Sequence, residues 1–202
     1  MREIFDEVFS IAWPTIVIVL SIAIILRIFY LKQNKKKFVL HEEIFLLIFL
    51  TYILVLFELV TYQDIEISGT NFMPFKEILR YDFGSTSFYK QVLGNILLFV
   101  PFGYFATRYA KVNKLGSIFF IGIFTSSIIE TVQYFIGRCF DIDDIILNVV
   151  GTVLGFLIFT ACDAIKKKLP SLFQKDFIYN IISIVLIILV VLYVLKIYNV
   201  GF

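Results

Sequence analysis

Apolar runs of roughly twenty residues, each closed off by charged residues, recur along the whole chain. Six can be marked, at about 8–31, 43–62, 91–109, 115–136, 144–165 and 177–197, and each is near the length that crosses a bilayer as a helix. None shows the strict apolar/polar alternation of a barrel strand, and a backbone inside hydrocarbon must satisfy its own hydrogen bonds. The pattern therefore predicts an all-α fold, a polytopic membrane helical bundle of about six transmembrane helices forming a single membrane domain over 1–202. The longest connection, about 63–90, predicts a long outer loop between helices 2 and 3. Its Phe72, Phe75, Ile78, Leu79, Tyr81 and Phe83 suit a segment lying on the membrane interface or dipping back toward the helices.

Polar residues interrupt this pattern in an ordered way between Gln91 and Gly155. On the fourth run Gly122, Ser126, Glu130, Gln133 and Gly137 are spaced by four, four, three and four, which is one face of a helix. On the fifth run Asp144, Asn148, Gly151 and Gly155 follow the same spacing, and Gly151 with Gly155 forms a small-xxx-small pair that permits close helix approach. The short connection Arg138 to Asp143 makes these two runs antiparallel neighbours whose stripes are expected to face each other. Asn95, at the start of the third run, falls at a similar depth, and Glu58 and Tyr62 at the end of the second belong nearby. Pro101 is expected to kink the third run.

Composition agrees with the pattern: 60% of residues are hydrophobic and only 17% charged, with a mean hydropathy of +0.93. Soluble domains lie far from these values. A formal charge of +2 gives no basis for nucleic-acid binding. The acidic N-terminus, with Glu3, Asp6 and Glu7, lacks the basic start of a secretory signal, so the first run is expected to be retained as a span. Cys139 and Cys162 fall near opposite ends of the fifth run, too far apart to bridge. A lone His41 builds no His-rich metal site.

Basic residues assign the sides. Arg27, Lys32, Lys35 to Lys37, Arg108, Lys111, Lys114, Lys166 to Lys168 and Lys175 collect on one side, against Arg2, Lys76, Arg80, Lys90, Arg138 and Lys196 on the other. The positive-inside rule puts the richer set in the cytoplasm. Both termini are then extracytoplasmic in the cell membrane, and the polar cluster lies at the outer boundary together with Asp64 and Glu66.

Charged and amide side chains inside hydrocarbon are costly unless paired, so they normally line a protein interior or a wet cavity. Asn95, Glu130, Gln133, Arg138, Asp141, Asp144 and Asn148 are the candidates for ligand binding, and Glu130, Arg138 and Asp144 the candidates for catalysis. Asp141, Asp143 and Asp144 could hold a divalent cation through carboxylate oxygens. Set against these roles is a structural one, in which Glu130 pairs with Arg138 and the amides join helices at about 0.6–2 kcal/mol each. Pro101, Gly151 and Gly155 are read as structural. The residues identify no cofactor and no oligomeric state.

Several ordered motifs carry a resemblance. Gly94-Asn95-Ile96-Leu97-Leu98-Phe99-Val100-Pro101-Phe102-Gly103 is followed by Ser127-Ile128-Ile129-Glu130-Thr131-Val132-Gln133, then Gly137-Arg138, then Asp141-Ile142-Asp143-Asp144-Ile145-Ile146-Leu147-Asn148-Val149-Val150-Gly151. Together with Asn71-Phe72-Met73-Pro74-Phe75 they resemble the VanZ-like family over about 71–160, within a core of about 43–165. The terminal spans, about 8–31 and 177–197, are additions to that core. The family is named for a membrane protein associated with resistance to the glycopeptide teicoplanin, and the resemblance implies that Asn95, Pro101, Glu130, Gln133, Arg138, Asp144, Asn148 and Gly151 match its motifs.

Three functions follow as expectations. The first is a cell-envelope protein that contributes to glycopeptide resistance or envelope homeostasis through an outward polar pocket, with membrane lipids, a lipid-linked cell-wall precursor or the glycopeptide itself as partner. The second is an envelope enzyme acting on a lipid-linked or phospholipid substrate, with Glu130 as acid or base. The third is a small transporter, disfavoured because no second pseudo-symmetric half is visible.

Overall fold

The structure is a computed structural model and describes residues 2–61 and 70–197. Its long helices are α1 (Arg2–Gln33), α2 (Leu40–Thr61), α3 (Gly94–Tyr109), α4 (Leu115–Phe135), α5 (Ile142–Lys168) and α6 (Asp176–Ile197). The all-α architecture expected from the pattern is present. Four segments, Trp13–Gln33, Leu40–Leu59, Leu115–Phe135 and Ile142–Lys168, are long and apolar enough to cross a membrane. α3 is shorter, at 16 residues, but is entered through a single turn at Thr86–Phe88 and a π-helical stretch at Tyr89–Leu93. At that junction the Gly94 N–H reaches back to the Tyr89 carbonyl.

Local chemistry sets the ends. Asp143 and Asp144 occupy the first turn of α5 and Lys166 to Lys168 its last, each sign complementing the helix dipole. α1, α3 and α4 close alike, through N–H bonds from Lys36 to Leu31, Val112 to Thr107 and Arg138 to Gln133. In each case the residue before the donor, Lys35, Lys111 or Gly137, is left-handed. Gly137 therefore terminates α4 instead of extending its polar face, because a positive φ of 92° turns the chain out of the helix.

The chain forms two compact units, the described parts of Met1–Pro14 with Tyr52–Cys162 and of Thr15–Thr51 with Asp163–Phe202. In the second unit, Arg27 grips Glu43 with two bonds of 2.8 and 3.0 Å. The buried His41 directs its backbone N–H and its ring Nδ1 at Asn180 Oδ1. In the first unit, Leu56, Phe99 and Phe102 form the apolar core, with Tyr52, Leu98 and Ile129 against them. The Tyr52 hydroxyl donates to the Leu98 carbonyl at 2.5 Å, in the turn before Pro101.

α3 and α5 meet at backbone distance. A Cβ added at Gly151 or Gly155 would overlap the carbonyl oxygen of Ile96 or Val100, and one at Gly103 would overlap the carbonyl of Thr152. The small pair on α5 thus serves close approach, as its spacing predicts, but toward α3. Toward α4 the contact is made by Asn148, whose Nδ2 donates to Ser126 Oγ at 2.9 Å, and by Thr152, which lies against Gly122. One stripe on α5 serves two neighbours.

Candidate functional site

Glu130, Gln133 and Ser126 are buried on α4 together with Ile118 and Gly122, the face read from the spacing of the polar residues. Glu130 is 2% exposed, and its Oε2 accepts the Asp141 backbone N–H at 3.0 Å. Asp141 lies in a two-residue strand, β2 (Phe140–Asp141), paired in parallel with β1 (Thr70–Asn71). The long loop is therefore stitched at Thr70–Asn71 to the α4–α5 connection. Asn71 Nδ2 adds a bond to Asp141 Oδ1 at 2.9 Å, and the same oxygen accepts the Asp143 N–H at 2.8 Å. Burial raises the Asp141 carboxyl above the ordinary carboxylate range, opposed by the bonds from Asp143 and Asn71.

Asp143 is 1% exposed and gathers the loop. Its Oδ1 accepts the N–H of Phe75 at 2.5 Å, and its Oδ2 accepts those of Glu77 at 2.7 Å and Ile78 at 3.2 Å. Phe75 has a φ of 67°, a conformation costly for an aromatic residue that persists where surroundings over-determine it. Asp143 supplies that determination. Asp144 turns the other way and accepts Asn95 Nδ2 at 2.6 Å, joining α5 to the start of α3. The three aspartates thus take three different sets of partners. Among the described residues no group of three His, Cys, Asp or Glu converges as a metal ion would require.

Asn95, Glu130, Gln133, Arg138, Asp144 and Asn148 line one cleft of about 50 Å³, closed on its apolar side by Leu59, Leu98, Phe99 and Ile129. Every residue expected to bind ligand faces this cleft except Asp141. That residue lines an adjoining cleft of about 100 Å³ with Glu77, Tyr81, Asp143 and Asp144. Asp144 and Gln91 belong to both walls. Burial, then the Glu77 carboxylate, raises the Tyr81 phenol. Among the described residues no buried side-chain nitrogen or oxygen lacks a hydrogen-bond partner, so these walls are preformed.

Glu58 does not line the cleft; its neighbour Leu59 does. Tyr62, Asp64 and Glu66 lie outside the described residues. Sequence reasoning gave no role to Gln91, which lies in the π-helical entry to α3 and lines both clefts. It placed Asn71 in the family motif Asn71-Phe72-Met73-Pro74-Phe75 but gave this buried side chain no role in the site.

Apolar helices of membrane-crossing length, carrying a polar cleft where the first turn of α3, the end of α4 and the start of α5 converge, define a polytopic α-helical membrane protein. The chain matches the VanZ/LLP1 family over residues 43–163, a stretch that holds every residue of the cleft, and it belongs to that family. No curated protein and no solved structure matches it.

Proposed function

We propose that this VanZ/LLP1 protein binds the head group of a membrane lipid or lipid-linked cell-wall precursor in the cleft around Arg138. In this reading the cleft faces outward, and its occupancy underlies a contribution to glycopeptide (teicoplanin-type) resistance or envelope homeostasis. The observation that carries the proposal is the convergence of Asn95, Glu130, Gln133, Arg138, Asp144 and Asn148 on one small cavity. A guanidinium recognises phosphate through a planar fork of donors, and neighbouring carboxylates and amides suit an amine or sugar hydroxyls on the same head group. A cleft of about 50 Å³ is far too small for a whole glycopeptide.

Binding of O-phosphoethanolamine and of inorganic phosphate to the purified protein, followed by ligand-observed NMR, tests the assignment. Wild-type binding that is weakened in Arg138→Lys, where the charge stays but the fork is lost, is the expected result. Equal binding by wild type and Arg138→Lys removes Arg138 from the role.

A further inference from the structure

An apolar groove of about 180 Å³ lies between α2 and α4, walled by Leu56, Phe57, Phe102, Thr125, Ile128 and Ile129. It opens laterally: Phe57 is 57% and Ile128 48% exposed. Its position relative to the cleft is the informative point. Ile129 belongs to both walls. On α2 the cleft is lined by Leu59 and the groove by Leu56 and Phe57; on α3 the cleft is lined by Leu98 and Phe99 and the groove by Phe102; on α4 Val132 of the groove adjoins Gln133 of the cleft. The groove therefore runs beside the cleft on α4 and extends away from it on α2 and α3, where the nearest lining residues are two and three positions apart, roughly 3–5 Å along the helix.

We infer that the cleft and groove together form one amphiphile site: a membrane-resident lipid sets its head group against Arg138 and lays its hydrocarbon chain between α2 and α4. This rests on the head-group reading above and names the class of ligand, a lipid arriving sideways from the bilayer instead of a water-soluble molecule arriving from outside. An apolar cavity of about 150 Å³ takes a benzene-sized guest, so the groove holds a chain segment on the order of six carbons. Moving that segment from bilayer to groove gains little hydrophobic energy, because lipid tails are as apolar as the groove. Affinity then resides in the head group, and the groove acts by shape, admitting a flexible chain that leads straight out of the cleft. A free phosphate or phospho-amine fills only the polar half.

The test uses the full chain in vesicles of phosphatidylethanolamine and phosphatidylglycerol containing a trace of phosphatidylethanolamine with a diazirine on its acyl chain. After photolysis, labelled peptides are located by mass spectrometry. Labelling at Ile53 to Phe57 and Thr125 to Val132 is expected to exceed that of the exposed face Ile184 to Leu189 on α6 several-fold. Thr125→Trp or Ile128→Trp, each filling the groove, is expected to bring it down to the α6 level while O-phosphoethanolamine binding is unchanged. Two variants are used so that a folding defect in one does not decide the matter. Groove labelling no higher than on α6, or undiminished in both folded Trp variants, with O-phosphoethanolamine still bound, overturns the chain site alone. Failure of the wild type to bind O-phosphoethanolamine overturns the head-group reading, and the amphiphile site falls with it.

Discussion

Glu130 and Asp141 stand 11 positions apart, and the side chain of the first accepts the backbone N–H of the second at 3.0 Å. This bond ties the end of α4 to the α4–α5 connection, so a buried carboxyl that lines the cleft also holds the chain beside it. The Asp141 N–H needs an acceptor whether or not Glu130 meets a ligand. Structural and chemical duties fall on one side chain.

Two substitutions separate those duties. Glu130→Gln keeps an acceptor for the Asp141 N–H, whereas Glu130→Ala leaves that donor unmet at a cost of about 1–3 kcal/mol. The Gln variant is expected to express and fold like the wild type while losing head-group binding and any resistance phenotype; the Ala variant also loses thermal stability. Wild-type binding and phenotype in Glu130→Gln, at matched protein levels, would return Glu130 to a purely structural role.

Asp143 is expected to behave as the anchor of the loop. Asp143→Ala removes the acceptor for three backbone donors and the support for the left-handed Phe75. Bonds to a charged acceptor contribute about 1.5–3 kcal/mol each, so local protection over residues 71–80 should fall by at least tenfold, a change of about 1.4 kcal/mol. Hydrogen exchange read by mass spectrometry measures this. Unchanged protection in the variant would show that the loop is held by other contacts.

The glycine crossing gives a contrast within one residue type. Gly103→Ala, Gly151→Ala and Gly155→Ala each force a methyl group onto backbone that cannot swing aside, and overpacking of this kind costs about 1–3 kcal/mol or more. Gly116→Ala meets open space and, in a helix, is neutral or stabilising by up to about 1 kcal/mol. Thermal unfolding in detergent should separate the two groups. Equal stability across all four variants contradicts the crossing.

Asp141 makes the loop junction sensitive to pH, with a definite sign. Its carboxyl is raised in the folded protein, so above the ordinary carboxylate pKa of about 3.9 the folded state binds more protons than the unfolded one. Stability from this group is then greatest in acid and is lost as pH rises through the folded pKa. Protection of residues 70–71 and 140–141, corrected for intrinsic exchange, should decline over that interval, and Asp141→Asn should flatten the trend. A rise in protection over the same interval would give the shift the opposite sign.

Orientation is tested by labelling. In a background with Cys139 and Cys162 replaced by Ser, a cysteine at Lys36 is expected to react with a membrane-impermeant maleimide only after the cells are opened. Reaction in intact cells would place the Arg138 cleft on the cytoplasmic face.

Much of this site was legible because helical spacing is strict. Glu130 and Gln133 had to share a face of α4, and burial of that face follows from the cost of exposing them to lipid. Partners were harder to read. Nothing local says that Gly151 and Gly155 meet α3 while Asn148 meets α4, since a helix stripe wide enough for two neighbours has the same spacing as one serving a single neighbour. The π-helical turn at Tyr89–Leu93 also left no signal, and with it Gln91 was overlooked. The acidic run Asp141, Asp143, Asp144 suggested a cation from composition. Its actual partners are loop and helix donors brought in from residues 71, 75, 77, 78 and 95, which only the tertiary fold could supply.

Where backbones touch without intervening side chains, there are no rotamers to rearrange and little room to slide. The crossing of α3 and α5 therefore acts as a fixed chassis carrying Asn95, Asp144 and Asn148 in constant register. The other wall, the last turns of α4 with Glu130 and Gln133, is held to that chassis by side-chain bonds instead, from Asn148 to Ser126 and from the Asp141 N–H to Glu130. A ligand in the cleft would therefore lie between one wall fixed by backbone contact and one fixed by replaceable side-chain bonds.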